Sequence, residues 1–179
     1  MKVALINPPV SGVFGFFPGS SHPPLGLGYI AACLRRAGHE AKIYSPTPYP
    51  WSFEKMFKDL ERFGPDLVGI TAVTPSFMVA RRLAAQAKAR LGCLVIMGGP
   101  HVTALPGSTL RSVPELDAVI RGEGEVPALA IAEAFTARGE VDFGRIPGAA
   151  FIADGRYRET DRPEPIADLD SLQIGRAHV

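Results

Sequence analysis

Residues Pro65 to His101 read PDLVGITAVTPSFMVARRLAAQAKARLGCLVIMGGPH, and this stretch decides the fold class. Two short apolar runs, Leu67–Ile70 and Leu94–Met97, each end in small or turn-forming residues. Between them Phe77, Ala80, Leu83, Ala84, Ala87 and Leu91 recur at steps of three, four and seven. Continuous apolar runs mark strands buried on both faces, and the intervening period is that of a helix packed on one face. The unit is therefore strand–loop–helix–strand, with Ser76 predicted as the helix N-cap. Crossovers of this kind are right-handed, so the two strands run parallel and end on one rim. The loops Thr71–Pro75 and Gly98–His101 open on that rim, where open α/β sheets take their ligands.

The same alternation extends in both directions. Val3–Asn7 predicts a first strand, stopped by Pro8 and Pro9. Leu25–Ala37 predicts a helix with Leu27, Ile30, Ala31 and Leu34 on one face and Gly38 at its C-terminal end. Glu40–Tyr44 predicts a second, more polar strand near a sheet edge, and Ser52–Phe63 a helix with Phe53, Met56, Phe57 and Leu60 inward. Thr103–Leu110 predicts a short helix, Leu116–Ile120 a fifth strand, and Val126–Thr136 a helix burying Ala128, Ile131, Ala132 and Phe135. Five strands alternating with helices predict a flavodoxin-like, doubly wound α/β domain with a parallel sheet in the order 2-1-3-4-5. From Ile146 the character changes. Ala149–Ala153, Asp154-Gly155 and Arg156–Glu159 predict a hairpin, because Asp-Gly suits a type I′ turn. Pro163 and Pro165 then open an extended, acidic linker. The expected organisation is a domain over 1–140, hairpin and linker over 141–172, and a non-native tail over 173–179.

Composition narrows the function classes. The chain has 179 residues, a formal charge of +1, 46% hydrophobic and 21% charged residues. That balance is globular and argues against nucleic acid as the main partner. No apolar run reaches the roughly 18 residues of a spanning helix, and the start is a strand rather than a secretory leader, so a cytoplasmic protein is expected. Cys33 and Cys93 lie in a helical and a strand pattern, which predicts buried thiols, and no metal-ligand spacing is present.

The rim loops carry most of the chemistry. Thr71-Ala72-Val73-Thr74 supplies hydroxyls and small side chains, and Gly98-Gly99 lets a large group approach the backbone because no Cβ intervenes. Gly122 and Gly124, around Glu123, offer the same freedom at the next strand end. Small residues at three neighbouring strand ends point to a slot for a bulky ligand more than to a tight phosphate cradle. Gly26, Gly28 and Ala31 match a loose dinucleotide fingerprint but follow a long loop, so the match is set aside. No catalytic nucleophile arrangement stands out; His101 is singled out because it sits on the rim. The loop Val10–Pro24, with Phe14, Phe16 and Phe17, is open to two readings: cover for a ligand or partner domain, or a fold over its own sheet edge.

The segments PPLGLGYIAACLRRAGHEAKIY, PDLVGITAVTPSF, VIMGGPHVTALP and DAVIRGEGEVPALAIAEAF together resemble the N-terminal cobalamin-binding domain of cobalamin-dependent radical SAM enzymes, over about Met1 to Leu172. That family includes C- and P-methyltransferases and the anaerobic magnesium-protoporphyrin ester cyclase. The resemblance implies base-off cobalamin on the C-terminal rim, presented for methyl transfer or a related radical reaction. It implies that Thr71, Ala72, Val73 and Thr74 contact the nucleotide tail or corrin edge and that Gly98 and Gly99 admit the tail. Pro100, His101, Gly122 and Glu123 would line the rim, with Leu25 and Gly26 bordering the corrin and Pro8 beside them. The Asp-x-His-x-x-Gly motif of the wider cobalamin family is missing, and Asn7-Pro8-Pro9 stands there, so no lower axial ligand and no metal-binding residue is assigned.

Radical SAM chemistry also needs a Cys-x-x-x-Cys-x-x-Cys triplet for its [4Fe–4S] cluster, which two distant cysteines do not provide. S-adenosylmethionine and the cluster are therefore expected in a radical SAM domain of the same full-length chain, beyond Leu172, and no turnover from this piece alone. Residues 173–179, QIGRAHV, resemble translated sequencing-adapter read-through. Two alternatives stand beside this reading. One is a flavin- or nucleotide-binding domain of an independent enzyme. The other is a receiver-like interaction module, whose acidic pocket would have to stand where Asn7 and Thr71 are.

Overall fold

The computed structural model describes residues 1–12, 15–16, 23–45 and 52–163. Strand β1 (Lys2–Ile6) is followed by two short segments, β2 (Ser11–Gly12) and β3 (Gly15–Phe16), paired antiparallel. Helix α1 (Leu25–Arg36), strand β4 (Glu40–Tyr44) and helix α2 (Phe53–Phe63) come next. Then follow β5 (Leu67–Thr71), a 3₁₀ turn over Thr74–Ser76, α3 (Phe77–Leu91) and β6 (Leu94–Gly98). Helices α4 (Pro100–Ala104) and α5 (Pro106–Ser112), β7 (Ala118–Ile120) and α6 (Glu125–Arg138) complete the wound part. The hairpin is β8 (Ala149–Ala153) and β9 (Arg156–Glu159). The aromatic loop beyond Phe16, His22 and the chain after Pro163 lie outside the described residues.

The sheet order is β4-β1-β5-β6-β7-β8-β9. Its first five strands are parallel and follow the expected 2-1-3-4-5 order, with the polar β4 at an edge. The sheet is nonetheless seven-stranded, not five-stranded. The hairpin does not stand apart; β8 pairs antiparallel with β7, Val119 opposite Ala150 and Ile120 opposite Ala149. Asp154 and Gly155 both take positive φ, 51° and 70°, as a type I′ turn requires.

Side-chain alternation splits the core into two layers. Val3, Leu5, Leu67, Ile96, Ala118 and Ile120 face α1 and α6. Ala4, Ile6, Val68, Ile70, Val95, Met97 and Val119 face α2 and α3. At the end away from the rim, Lys88 Nζ donates to both oxygens of Asp117 (2.8 and 2.7 Å), and Asp117 accepts the Val95 amide at 2.7 Å. This network ties α3, β6 and the start of β7 together, leaving the opposite rim open for the site.

Two local expectations are corrected. Ser76 does stand at the N-cap of α3, but its hydroxyl accepts from the Val73 amide at 3.2 Å instead of capping the helix. The helix expected over Thr103–Leu110 is two helices broken at Leu105, whose φ of −131° is extended. Pro106 forces the break, since a residue before proline is pushed out of the helical region.

Candidate cofactor-binding site

A cavity of about 300 Å³ opens on the C-terminal rim and runs down between the sheet and helices α1 and α6. Thr71, Gly98, Gly99 and Pro100 form one side of its mouth, and Gly122, Glu123, Gly124 and Glu125 the other. Its floor is the α1/α6 face of the sheet: Val3 and Leu5 of β1, Leu67 and Gly69 of β5, Ile96 of β6 and Ile120 of β7. Its roof is Gly26, Leu27 and Ile30 of α1 with Ala128 of α6. Small residues keep the slot open. A Cβ at Gly26 would meet no atom within 4 Å, so this turn of α1 leaves room over the mouth. Gly124 is small for a different reason: a Cβ there would sit 2.7 Å from Ile30 Cδ1.

The predicted glycine pair splits into two roles. Gly98 faces the cavity mouth, and a Cβ there would meet only the Ile120 carbonyl at 3.8 Å. Gly99 holds φ 99° and ψ 175°, a region open essentially to glycine alone. A Cβ there would lie 2.8 Å from the Ala72 carbonyl and from Thr71 Oγ1. Around it the Ala72 amide donates to the Gly98 carbonyl (2.8 Å) and the His101 amide to the Ala72 carbonyl (3.1 Å). Gly99 thus lets the β5 and β6 loops lie against each other.

Of the residues expected at the site, Gly26, Thr71, Gly98, Gly99, Pro100, Gly122 and Glu123 line the cavity. Pro8, Leu25, Ala72, Val73, Thr74 and His101 do not. Ala72 is fully buried in the α2/α3 layer, and Pro8 is buried at the end of β1. Thr74 and His101 form their own group beside the mouth. Thr74 Oγ1 lies 3.1 Å from His101 Nδ1, and the His101 ring packs on Phe77 with centroids 4.1 Å apart. Leu25 and Val73 are exposed, and with Val10, Met78 and Val126 they put apolar side chains at strand-to-helix turns of the rim.

Sequence reasoning missed the floor. Val3, Leu5, Leu67, Ile96 and Ile120 read as ordinary core residues. Gly69 was the available signal, since an isolated glycine inside an apolar strand marks a bulge or a close approach. A side chain at 69 would press on Leu5 Cδ2 at 3.1 Å and project into the slot.

The carboxylates at the mouth favour a ligand that brings hydrogen-bond donors there. Glu123 and Glu125 supply carboxylate oxygens there, and among the described residues the lining contains no Lys or Arg. Arg121, one residue before Gly122, turns away to the hairpin, and the Arg162 side chain passes beside Gly122, its Cδ 4.0 Å from where a Cβ there would stand. Arg121 donates to the Thr160 carbonyl, and its Nη1 lies 3.2 Å from Glu159 Oε2, which also accepts from Tyr157. Burial, reinforced by that hydrogen bond, pushes the Tyr157 phenol up to about 12. Cys33 and Cys93 are free and buried, and burial raises both thiols above their ordinary value. Among the described residues, no three His, Cys, Asp or Glu side chains gather as a metal site.

Comparison with known proteins supplies the family. The model of the B12 binding domain matches residues 16–132. The chain belongs to the B12-binding domain family. Its cofactor on that membership is cobalamin, and the flavin and nucleotide alternative finds no support. The domain is 36% identical, over 97% of its length, to an uncharacterized methyltransferase of Pyrococcus horikoshii. It is 30% identical, over 96% of its length, to the anaerobic magnesium-protoporphyrin IX monomethyl ester cyclase of Cereibacter sphaeroides. It spans 38% and 28% of these two relatives. The fold matches the cobalamin-dependent S-adenosylmethionine radical enzyme OxsB with a TM-score of 0.77 at 15% identity, covering 92% of this chain and 22% of that one. It also matches the radical S-adenosylmethionine methyltransferase TsrM from Kitasatospora setae with a TM-score of 0.71 at 20% identity, covering 92% and 30%.

The slot fits the group. A B12-binding domain must admit a bulky cofactor at the ends of its strands, and the glycine-lined mouth with an apolar channel below it provides that space. Among the described residues no helix is long and apolar enough to cross a membrane.

Proposed function

We propose that this B12-binding domain is the cofactor-holding module of a longer radical SAM enzyme, presenting base-off cobalamin for methyl transfer or a related radical reaction. One observation carries the reading: an apolar slot, open at the strands' C-terminal rim, in a chain whose relatives are methyltransferases and a cyclase of greater length. When bound, cobalamin supplies a cobalt centre for methyl or one-electron chemistry.

The protein's own part is to bind and orient. Gly26, Gly98 and Gly122 leave the mouth clear, and the Thr71 hydroxyl and Glu123 carboxylate offer hydrogen bonds there. Gly99 fixes the loop that carries Pro100. Leu25, Val73, Thr74 and His101 form the outer rim, against which the corrin and the rest of the enzyme would rest, with Ala72 and Pro8 buttressing it from below. Cys33 and Cys93 are buried and far apart in sequence, so the S-adenosylmethionine and iron–sulfur chemistry falls to the radical SAM domain of the full-length protein.

The test is retention of corrinoid. The chain is incubated anaerobically with hydroxocobalamin and desalted, and its visible spectrum is recorded before and after reduction. Stoichiometric base-off corrinoid is expected. A folded chain that retains none would refute the reading. Turnover with S-adenosylmethionine and reductant by this chain alone would refute the division of labour.

A further inference from the structure

The slot is two-toned: polar groups stand at its mouth and are missing from its depth. From Thr71 at the mouth to Leu67 at the bottom is four residues of β5, or about 13 Å of strand. Below the mouth it is walled by Val3, Leu5, Leu67, Ile96, Ile120 and Ala128. The strand backbone offers nothing there either, because β5 is hydrogen-bonded to β1 on one side and β6 on the other along this depth. Beyond their first turns, helices α1 and α6 spend their own amides and carbonyls internally. Among the described residues, a planar group reaching this depth therefore meets apolar surface and no hydrogen-bond partner.

We propose that this depth selects the corrinoid by its lower base, taking an apolar benzimidazole and rejecting a purine. The inference rests on the cobalamin reading above and goes further, to a ligand choice made by this chain's own residues. A base-off cofactor must put its nucleotide tail somewhere, and the slot is the concave apolar volume that opens on the rim. Dimethylbenzimidazole presents methyl groups and ring edges to such walls. Adenine presents an exocyclic amine and further ring nitrogens that would lose water and gain no partner. Each polar group buried unpaired weakens binding by about 5- to 140-fold.

Gly69 opens the floor. It sits between Leu5 and Ile96 in the sheet, and a methyl group there would lie 3.1 Å from Leu5 Cδ2 and 3.8 Å from Ile96 Cγ1. The flexible Leu5 end can give way, so Gly69→Ala is compatible with folding but narrows the slot.

The experiment compares three corrinoids by equilibrium dialysis with absorbance readout. They are the dimethylbenzimidazole form, its adeninyl counterpart, and cobinamide, which lacks the nucleotide. The expected order has the benzimidazole form tightest, with the adeninyl form at least about tenfold weaker. Gly69→Ala, checked for folding by circular dichroism, should weaken both nucleotide-bearing forms and leave cobinamide unchanged. Equal affinity for the two bases would overturn the selectivity while leaving the cobalamin reading intact. Cobinamide binding as tightly as the benzimidazole form would show that the tail stays outside the slot, which also overturns it. No binding of any corrinoid by a folded chain would bring down the cobalamin reading and this inference with it. The wild-type series decides the matter even if the variant misfolds.

Discussion

Replacing Gly99 and Gly98 separately with alanine separates the two jobs that adjacent glycines do at this rim. At Gly99 the backbone is in a region essentially reserved for glycine, which costs any other residue about 1–3 kcal/mol. The added methyl would stand 2.8 Å from the Ala72 carbonyl and 2.9 Å from its amide, so backbone must move. That movement strains the bonds from Ala72 to Gly98 (2.8 Å) and from His101 to Ala72 (3.1 Å), each worth about 0.5–1.5 kcal/mol. A combined loss of about 3 kcal/mol follows, or roughly 6–12 °C in Tm for a chain of this size. At Gly98 the φ is ordinary and the nearest atom to a new Cβ is 3.8 Å away, so stability should change by less than about 0.5 kcal/mol. Gly98 lines the mouth, so its alanine variant should instead weaken corrinoid retention. Urea unfolding followed by circular dichroism, analysed by linear extrapolation, measures the first effect, and the desalting assay the second. Equal stability losses for the two variants, or a wild-type Gly99→Ala, would refute the reasoning.

Arg121→Met removes the buried guanidinium that joins the end of β7 to Thr160 and Glu159. A loss of about 1–3 kcal/mol is expected, with amide exchange quickening in β8 and β9 before the parallel strands. The hydrogen bond from Lys42 holds the Asp59 carboxyl below its ordinary value. Its contribution is present above the unfolded value and is lost as pH falls below about 4. Lys42→Met should flatten that acid limb by less than about 1 kcal/mol, because the pair is partly exposed. Burial raises Cys33 and Cys93, so their contribution to stability is present below the ordinary thiol value and lost in strong alkali. At pH 8 a thiol reagent should find both cysteines slow in the native chain and fast after unfolding; rapid labelling of the folded chain would contradict their burial.

The periodicity of Leu67–Met97 was enough to specify a parallel, doubly wound sheet, because strands buried on both faces and a helix buried on one leave different spacings in the chain. The polar EAKIY segment similarly marked an edge strand, and Asp154-Gly155 marked a tight turn whose φ values glycine and aspartate tolerate. These are local properties, written into neighbouring residues. Where β8 docks was not local: Ala149 and Ala150 pair with β7 from the far side of α6, and the Arg121 contacts arise from that pairing. The site divides the same way. Gly98, Gly122 and Thr71 announced themselves at strand ends. Val3, Leu5 and Ile120, from distant parts of the chain, wall a slot only because parallel strands bring their odd-numbered or even-numbered faces into register beneath α1 and α6. The sequence alone determined the layers and the rim; the tertiary structure decided the slot, since an empty volume belongs to the packing of several segments and to none of them singly.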